Sequence, residues 1–231
     1  MDLKKQAAEK AVTFIQNNST VGLGAGSTIA YLVEFLKAEI EKGLQVTFVT
    51  SSFSTLQLLL KNKFRVQSIE STTAVDIYFD GCDQVDHQLN AVKSGGGIHT
   101  HEKLVACMAR HFVLLADEAK YVTQFDTKYP LVIELLPQSL NFVQAQIQLL
   151  FPGATTTMRT GDKKDGPVIT ANANYLVDVW FDAWPPLSDI NPVFKNITGV
   201  VETSLFYGLA HKVIIAGGDG VKIIEANREM P

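Results

Sequence analysis

The feature that most constrains this fold is the alternation of short β-branched apolar runs with longer amphipathic segments. Strands are predicted at 20–23, 45–50, 75–79 and 111–116, and helices at 3–16, 27–41, 53–61 and 98–110. Asp2 and Ser27 are the predicted N-caps of the first two helices, and Gly43 is the predicted stop of the second. Strands that alternate with helices in this way indicate an α/β domain with a largely parallel sheet and helices on both faces.

The pattern changes after about residue 128. A strand is predicted at 131–135, a helix at 139–150 and β-rich segments at 154–159 and 168–181, separated by a Gly161-Asp162 turn. This β-α-β-β order predicts a smaller inserted α+β domain. A buried strand at 212–216 then returns to the first sheet. We therefore expect one domain from 1–128 and 211–231, and a second from 129–210.

Composition narrows the class of protein. The chain has 231 residues, 46% of them hydrophobic, and a net charge of -4, which argues against binding nucleic acid through bulk electrostatics. The first residues do not resemble a secretory signal. No run of about 18 apolar residues is present, so a membrane partner is not expected. Only Cys82 and Cys107 are present, so a disulfide scaffold is not expected and a reducing cytoplasm fits.

The first candidate site is the glycine-rich segment 22–28, between a predicted strand and helix. In open α/β sheets ligands bind beyond the carboxyl ends of the strands, and the N–H groups at a helix start favour an anion. Ser27 and Thr28 add hydroxyls. The segment is neither G-x-G-x-x-G nor a P-loop, and Ser51-Ser52 ends the next strand without an acidic residue, so a small phosphate ester fits better than a dinucleotide. A tight turn with a capping serine is the equally weighted alternative.

Two further loops and a helix carry polar side chains at comparable places. Asp80 and Asp83 flank Gly81 after a strand, Lys93 precedes Ser94 and three glycines, and Glu102 begins a helix. Carboxylates of this kind bind sugar hydroxyls or move protons, and Glu102 is a candidate general base. The structural alternatives are a solvated turn, a flexible linker and a carboxylate that compensates the helix dipole. Lys120, taken alone, is more often a surface lysine.

A metal site is not expected. His99 and His101 are two residues apart on a predicted helix, so they point about 200° apart and do not share a face. The segment from His101 to Val105 is not H-E-x-x-H, and neither cysteine has a C-x-x-C partner. Cys82 is expected to pack rather than to act as a nucleophile.

Taken together and in this order, the loops resemble ribose-5-phosphate isomerase type A. The matching segments are GLGAGST (22–28), DGCDQ (80–84), KSGGG (93–97), Glu102-Lys103, DEAK (117–120) and GVVE (199–202). The resemblance extends over nearly the whole chain. It implies a Rossmann-like domain with a small α+β domain, no metal or organic cofactor, and a homo-oligomer, either dimer or tetramer.

The resemblance also implies a reaction and a set of site residues. Ribose 5-phosphate and ribulose 5-phosphate would be interconverted, as in the non-oxidative pentose phosphate pathway, with Glu102 carrying a proton between C2 and C1 through an enediolate. Asp80, Asp83 and Lys93 would contact the sugar and assist ring opening, and Lys4 is a further candidate for the phosphate. The implied substrate-binding positions are Ala25, Gly26, Ser27, Thr28, Asp80, Gly81, Cys82, Asp83, Lys93, Ser94, Gly95, Gly96 and Lys120.

The chain departs from the family pattern at several positions. Ala25 replaces threonine, Cys82 alanine, Gln84 glutamate and Ser94 glycine, and His101 stands where arginine is common. The alternative functions are a coenzyme A transferase-like or sugar-phosphate deaminase-like enzyme, which resemble the fold more distantly, and a non-catalytic sugar-phosphate-sensing domain. A sensor would usually carry a basic DNA-binding segment, and the sequence offers none.

Overall fold

The computed structural model describes residues 2–161 and 165–227. The helices are α1 (Leu3–Val12), α2 (Ser27–Glu41), α3 (Phe53–Lys61), α4 (His99–Met108), α5 (Leu140–Leu150) and α6 (Leu187–Lys195). The strands are β1 (Ser19–Leu23), β2 (Val46–Thr50), β3 (Val75–Gly81), β4 (Gln84–Asp86), β5 (Ala91–Val92), β6 (Ala109–Asp117), β7 (Tyr121–Val122), β8 (Leu131–Leu135), β9 (Thr155–Met158), β10 (Tyr175–Trp180), β11 (Val200–Thr203), β12 (Leu205–Phe206), β13 (Lys212–Gly217) and β14 (Gly220–Glu225). Single 3₁₀ turns lie at Ile69–Ser71, Glu118–Lys120 and Pro137–Ser139.

The main sheet has six strands in the order β14-β13-β6-β3-β1-β2. The five strands from β13 to β2 are parallel, and β14 returns antiparallel as an edge strand. Apolar residues that alternate along these strands face two different cores, since successive strand side chains point to opposite faces. Helices α1, α2 and α3 pack on one face and α4 on the other. The predicted α/β fold with a largely parallel sheet is confirmed.

The order in which strands are added to the main sheet changes direction at β1. After β1 the chain passes through α2 to β2 on one side, and then crosses to β3 on the other side of β1. The carboxyl ends of β1 and β3 therefore lie side by side with their following loops turned apart. Such a switch point is where open α/β sheets bind ligands. It brings residues 24–28 next to Asp80.

The second sheet has four antiparallel strands in the order β11-β8-β10-β9. Helices α5 and α6 cover it and bury an apolar core that includes Val143, Ile147, Ile190 and Phe194. A third, small sheet has the order β12-β5-β4-β7. Strands β4 and β5 follow β3 in the chain, β7 follows β6, and β12 follows β11, so this sheet pairs segments that leave the other two sheets.

Several helix bounds differ from the sequence prediction. Helix α1 ends at Val12 rather than residue 16, and α4 ends at Met108, because β6 begins at Ala109. Asp2 caps α1 as predicted, with its side chain accepting the Lys4 N–H at 3.0 Å. Ser27 is not the N-cap of α2. That position belongs to Gly26, and Ser27 is the first helical residue.

The sequence prediction also missed short elements. The edge strand β14, helix α6 with Pro192 inside it, and the two- and three-residue strands of the third sheet were not predicted. The predicted β-rich segment 168–181 contains one regular strand, β10, preceded by an isolated bridge between Ile169 and Tyr175. Asp162 of the predicted turn lies outside the described residues.

Candidate active site

The turn after β1 approaches Asp80 too closely for any side chain at Gly24. A Cβ atom on Gly24 would lie 2.0 Å from the Asp80 Cγ atom. The Gly24 N–H donates to the Phe79 carbonyl at 2.9 Å, which ties the turn to β3. Gly26 has a φ of +97°, a conformation that side chains rarely adopt, and it caps α2. These two glycines let the backbone pass over Asp80 and enter the helix.

The start of α2 is open toward the cleft. Ala25, Gly26, Ser27 and Thr28 line it, with Gly26 and Ser27 exposed, and the first turn of α2 has no acidic residue. Unpaired N–H groups at a helix start carry a partial positive charge that favours an anion. Lys4, near the start of α1, lines the same cleft and adds a cation. This corner is therefore suited to a phosphate group.

Asp80 lies at the end of β3, fully buried beneath the turn. One carboxylate oxygen accepts the N–H groups of Ala25 at 3.2 Å and Gly81 at 2.8 Å. The other accepts the Tyr78 hydroxyl at 2.5 Å and lies 3.0 Å from the Lys93 Nζ atom. Because both oxygens are occupied, Asp80 holds its neighbours in place from behind the cleft wall.

Lys93 lies between two carboxylates. Its Nζ atom is 3.0 Å from Asp80 and 3.4 Å from Glu102, and it donates to the Gly81 carbonyl at 2.6 Å. Burial alone would lower the pKa of Lys93, but Asp80 and Glu102 together raise it above its ordinary value. The cation is thus retained at neutral pH beside Glu102.

Glu102 lies in the first turn of α4 and is only 4% exposed. Burial and the nearby Asp80 carboxylate raise its pKa from 4.5 to about 8, although Lys93 acts in the opposite direction. A carboxylate with a pKa near the working pH is a far better proton acceptor than an ordinary glutamate. Glu102 also lines the cleft. It can therefore exchange a proton with a molecule bound there.

Asp83 fixes the glycine loop. One of its oxygens accepts the backbone N–H groups of Ser94 at 2.5 Å and Gly95 at 3.2 Å. The Ser94 hydroxyl turns away from the cleft and donates to the Pro130 carbonyl at 2.6 Å. Asp83, Gly95 and Gly96 line the cleft, whereas the buried Ser94 anchors the loop from below.

Cys82 and Lys120 form one wall of the cleft together with Gly81. The Lys120 Nζ atom donates to the Cys82 carbonyl at 2.7 Å. Burial raises the pKa of the Cys82 thiol to about 12, so it stays protonated near neutral pH. The protonated thiol agrees with a packing role for Cys82. The Lys120 side chain also lines the cleft.

The predicted loops meet around one cleft of about 330 Å³. Its lining residues are Lys4, Ala25, Gly26, Ser27, Thr28, Gly81, Cys82, Asp83, Lys93, Gly95, Gly96, Glu102 and Lys120. Of the positions predicted from sequence, Asp80 and Ser94 lie behind the wall. The cleft combines three lysines and a helix start with two carboxylates, an arrangement that suits a small phosphorylated polyol.

His99 and His101 have different partners. The His101 ring nitrogen lies 2.9 Å from the Asn172 side-chain oxygen, and the buried His99 ring lies 3.4 Å from the Glu202 carbonyl. Within residues 2–161 and 165–227, no group of three histidine, cysteine or acidic side chains could hold a metal ion. Gln84 bonds the Asp126 N–H at 2.7 Å and does not line the cleft.

Sequence reasoning missed two residues that contact the site. Tyr78 shares a strand face with Asp80, two residues away, so the period of two in β3 could have revealed it. Arg159 donates to the Ser94 carbonyl at 2.9 Å and pairs with Asp178 at 2.5 Å. It lies 65 residues from Ser94. No local pattern links the two.

Comparison with known proteins identifies the family. Residues 47–220 match the family model described as ribose 5-phosphate isomerase A (phosphoriboisomerase A). Ribose-5-phosphate isomerase A of Methanothermobacter thermautotrophicus is 37% identical over 97% of this chain and 98% of the relative. The enzyme of Pyrococcus abyssi is 34% identical over the same shares.

Solved structures give the same result. Ribose 5-phosphate isomerase A from Methanocaldococcus jannaschii superposes with a TM-score of 0.90 at 34% identity, covering 97% of this chain and 98% of that one. A D-ribose-5-phosphate isomerase in complex with phospho-erythronic acid superposes with a TM-score of 0.91 at 34% identity, with the same coverage. The chain belongs to the ribose 5-phosphate isomerase A family.

Proposed function

We propose that this chain interconverts D-ribose 5-phosphate and D-ribulose 5-phosphate through an enediolate, with Glu102 as the base. The observation that carries the proposal is the buried Glu102 carboxylate, its pKa raised to about 8, in a cleft that also holds Lys93 and a helix start. An aldose–ketose isomerase needs a base that can both accept and return a proton on carbon. Family membership supports the same reaction.

The phosphate would bind at the turn formed by residues 24–28. The open N–H groups of α2, the hydroxyls of Ser27 and Thr28, and the Lys4 ammonium supply the positive potential and the donors. The relative solved with phospho-erythronic acid supports a site for a phosphorylated sugar acid or sugar in this fold. Ala25 lacks the hydroxyl of the usual threonine but keeps its N–H, which donates to Asp80.

Ring opening precedes proton transfer on carbon. The cyclic sugar must lose the proton of its C1 hydroxyl while its ring oxygen gains one. Asp83 lines the cleft and has one oxygen held by the loop amides of Ser94 and Gly95, so we assign it the acceptor role. Lys120 lines the same cleft, and we assign it to bind an oxygen atom of the substrate.

Isomerisation then moves one proton between two carbons. Glu102 removes the proton from C2, the C2 electron pair forms the enediolate double bond, and negative charge develops on the C1 oxygen. Lys93, 3.4 Å from the Glu102 carboxylate, supplies a cation close to that charge. Glu102 returns the proton to C1, and the hydroxyl proton passes from the C2 oxygen to the C1 oxygen. Asp80 orients Lys93 from behind the wall.

The other functions considered from the sequence are less well supported. A coenzyme A transferase would use glutamate as a covalent nucleophile. The relatives that match nearly the whole chain are isomerases by name, rather than transferases, deaminases or sensors.

The direct test is ketose formation from ribose 5-phosphate by the purified chain. Formation of ribulose 5-phosphate, with free ribose converted far more slowly, is the expected result. Incubation with an acyl-coenzyme A and a carboxylic acid serves as the control for transferase chemistry. Acyl exchange, or a glutamyl thioester recovered from the protein, would contradict the isomerase proposal.

Three further features belong to this proposal. We propose that residues 129–210 form a small α+β domain, supported by the separate core under α5 and α6. None of the helices in the described part of the chain has the length and apolarity needed to cross a membrane, and the two cysteines are unpaired thiols. We also propose a cytoplasmic location and a homo-oligomer, as the family resemblance implies, and cell fractionation and light scattering would test them.

A further inference from the structure

The residues that surround Glu102 on α4 are held by the second sheet. Thr100 donates to the Glu134 carboxylate of β8, and the His101 ring contacts Asn172 at 2.9 Å. The Lys103 Nζ atom pairs with Glu202 of β11 at 2.8 Å. Helix α4, packed on the main sheet through its apolar face, therefore receives polar contacts from the second sheet and the turn before β10 on both sides of the base.

Glu134 is the centre of these contacts. It is 1% exposed, and its carboxylate accepts the Thr170 hydroxyl at 2.8 Å and the side-chain amides of Asn172 at 3.0 Å and Asn174 at 2.8 Å, in addition to Thr100. Burial alone would raise the pKa of Glu134, but these hydrogen bonds keep it below its ordinary value. A buried, fully bonded anion of this kind fixes the groups around it.

The geometry of an α-helix gives this contact a consequence for Glu102. Thr100 and Glu102 are two residues apart and so point about 200° apart around the helix axis. Thr100 faces the second sheet while Glu102 faces the cleft. Ile98, the N-cap of α4, provides no side-chain cap hydrogen bond. The Thr100–Glu134 bond therefore helps to fix the rotation of a helix start that has no side-chain cap.

The same sheet also holds the glycine loop on the other side of the cleft. Arg159, next to β9, donates to the Ser94 carbonyl at 2.9 Å and is itself fixed by Asp178 of β10. The glycine loop and the helix that carries the base are thus both held by side chains of the second sheet and its flanking residues. A displacement of about 1 Å in a catalytic group can lower the rate by roughly 100-fold.

We propose that Glu134 is a positioning residue for the isomerisation, acting through Thr100 to hold Glu102 at the cleft. The proposal rests on the isomerase function proposed above. Glu134 and Thr100 do not line the cleft, so they act on the reaction by fixing where the Glu102 carboxylate lies.

The test compares two variants that each remove one donor from the same buried carboxylate. Thr100→Val keeps the shape and helix propensity of the side chain and removes the link to α4. Asn174→Ala removes a donor that lies just before β10, and the Asn174 side chain has no described contact with α4. Thr100→Ser restores the hydroxyl and serves as the conservative variant.

We expect Thr100→Val to lower kcat by about 10-fold or more, in line with the cost of misplacing a catalytic group, with KM changed less than about twofold. Asn174→Ala should show a comparable loss of Tm with kcat close to that of the unmodified chain, and Thr100→Ser should recover most of the lost kcat. Equal kcat in Thr100→Val and Asn174→Ala would overturn the positioning role. An unmodified chain without isomerase activity would instead refute the proposed function.

Discussion

Replacing the buried base should stabilise the protein at alkaline pH. The folded pKa of Glu102 is about 8 against 4.5 as the ordinary value, so the fold favours the protonated carboxyl. The stability associated with that proton is complete below pH 4.5 and is lost as the pH rises through 8. Glu102→Gln keeps a neutral group of the same shape, and it does not carry the cost of burying a charge.

The size of the effect follows from the shift in pKa. Each pKa unit corresponds to about 1.4 kcal/mol, so the ionised form of Glu102 costs the fold roughly 3–5 kcal/mol by pH 9. The free energy of unfolding of Glu102→Gln, relative to that of the unmodified chain, should therefore rise by that amount as the pH is raised from 4 to 9. The residue is 4% exposed, so solvent screening reduces this value little.

Urea unfolding at pH 5, 7 and 9 would measure this gain. Glu41→Gln, at an exposed glutamate of α2, is the matched control for a change of glutamate to glutamine outside the cleft. A difference between Glu102→Gln and the unmodified chain that stays constant from pH 5 to 9 would refute the reasoning. It would mean that Glu102 is already ionised in the fold at low pH.

Three further outcomes are expected. Thr28→Ala should weaken binding of ribose 5-phosphate at least about tenfold more than binding of free ribose, because it removes one charge-assisted hydrogen bond to the phosphate. Equal losses in calorimetric titrations would place the phosphate elsewhere. Burial lowers the pKa of His99 from 6.5 to about 4. As the pH falls from 6.5 to 4, the histidine is protonated in the unfolded chain before it is protonated in the fold, so the free energy of unfolding drops by about 3 kcal/mol. His99→Gln should remove this pH dependence of the free energy of unfolding, measured with urea. An unchanged dependence on pH would contradict the prediction. Prolonged chelation should leave kcat unaltered, whereas loss restored by one metal would show a metal-dependent enzyme.

The parts of the fold with strong local signals were predictable. The bounds of α2 and α3 agree with their apolar periodicity, and β8 lies where the short run LVIEL, apolar except for Glu134, predicts a strand. The strands of the third sheet are only two or three residues long and depend on pairing between distant segments. The edge strand β14 is mostly exposed, so its sequence carries little of the pattern typical of a buried strand.

The cleft was predictable for a similar reason, since most of its residues lie in glycine loops directly after strands. The contacts that hold the cleft in place were not predictable from the sequence. Glu134 reads as an ordinary residue of a β-strand, yet it bonds Thr100, which lies 34 residues earlier. Lys103 is joined to Glu202 across 99 residues. Such contacts are set by how the two sheets pack, and the local sequence does not encode that.

The most direct test of the central claim is the kcat of Glu102→Gln with ribose 5-phosphate. Loss of a general base typically lowers the rate by about 10²–10⁴-fold, and we expect a fall in that range with KM nearly unchanged. Asp80→Asn and Asp83→Asn are the comparison variants, because these carboxylates lie at the end of β3 and directly after it, close to the same cleft. If Glu102→Gln kept a near-normal kcat while either aspartate variant abolished it, the base would be that aspartate and the account would be wrong.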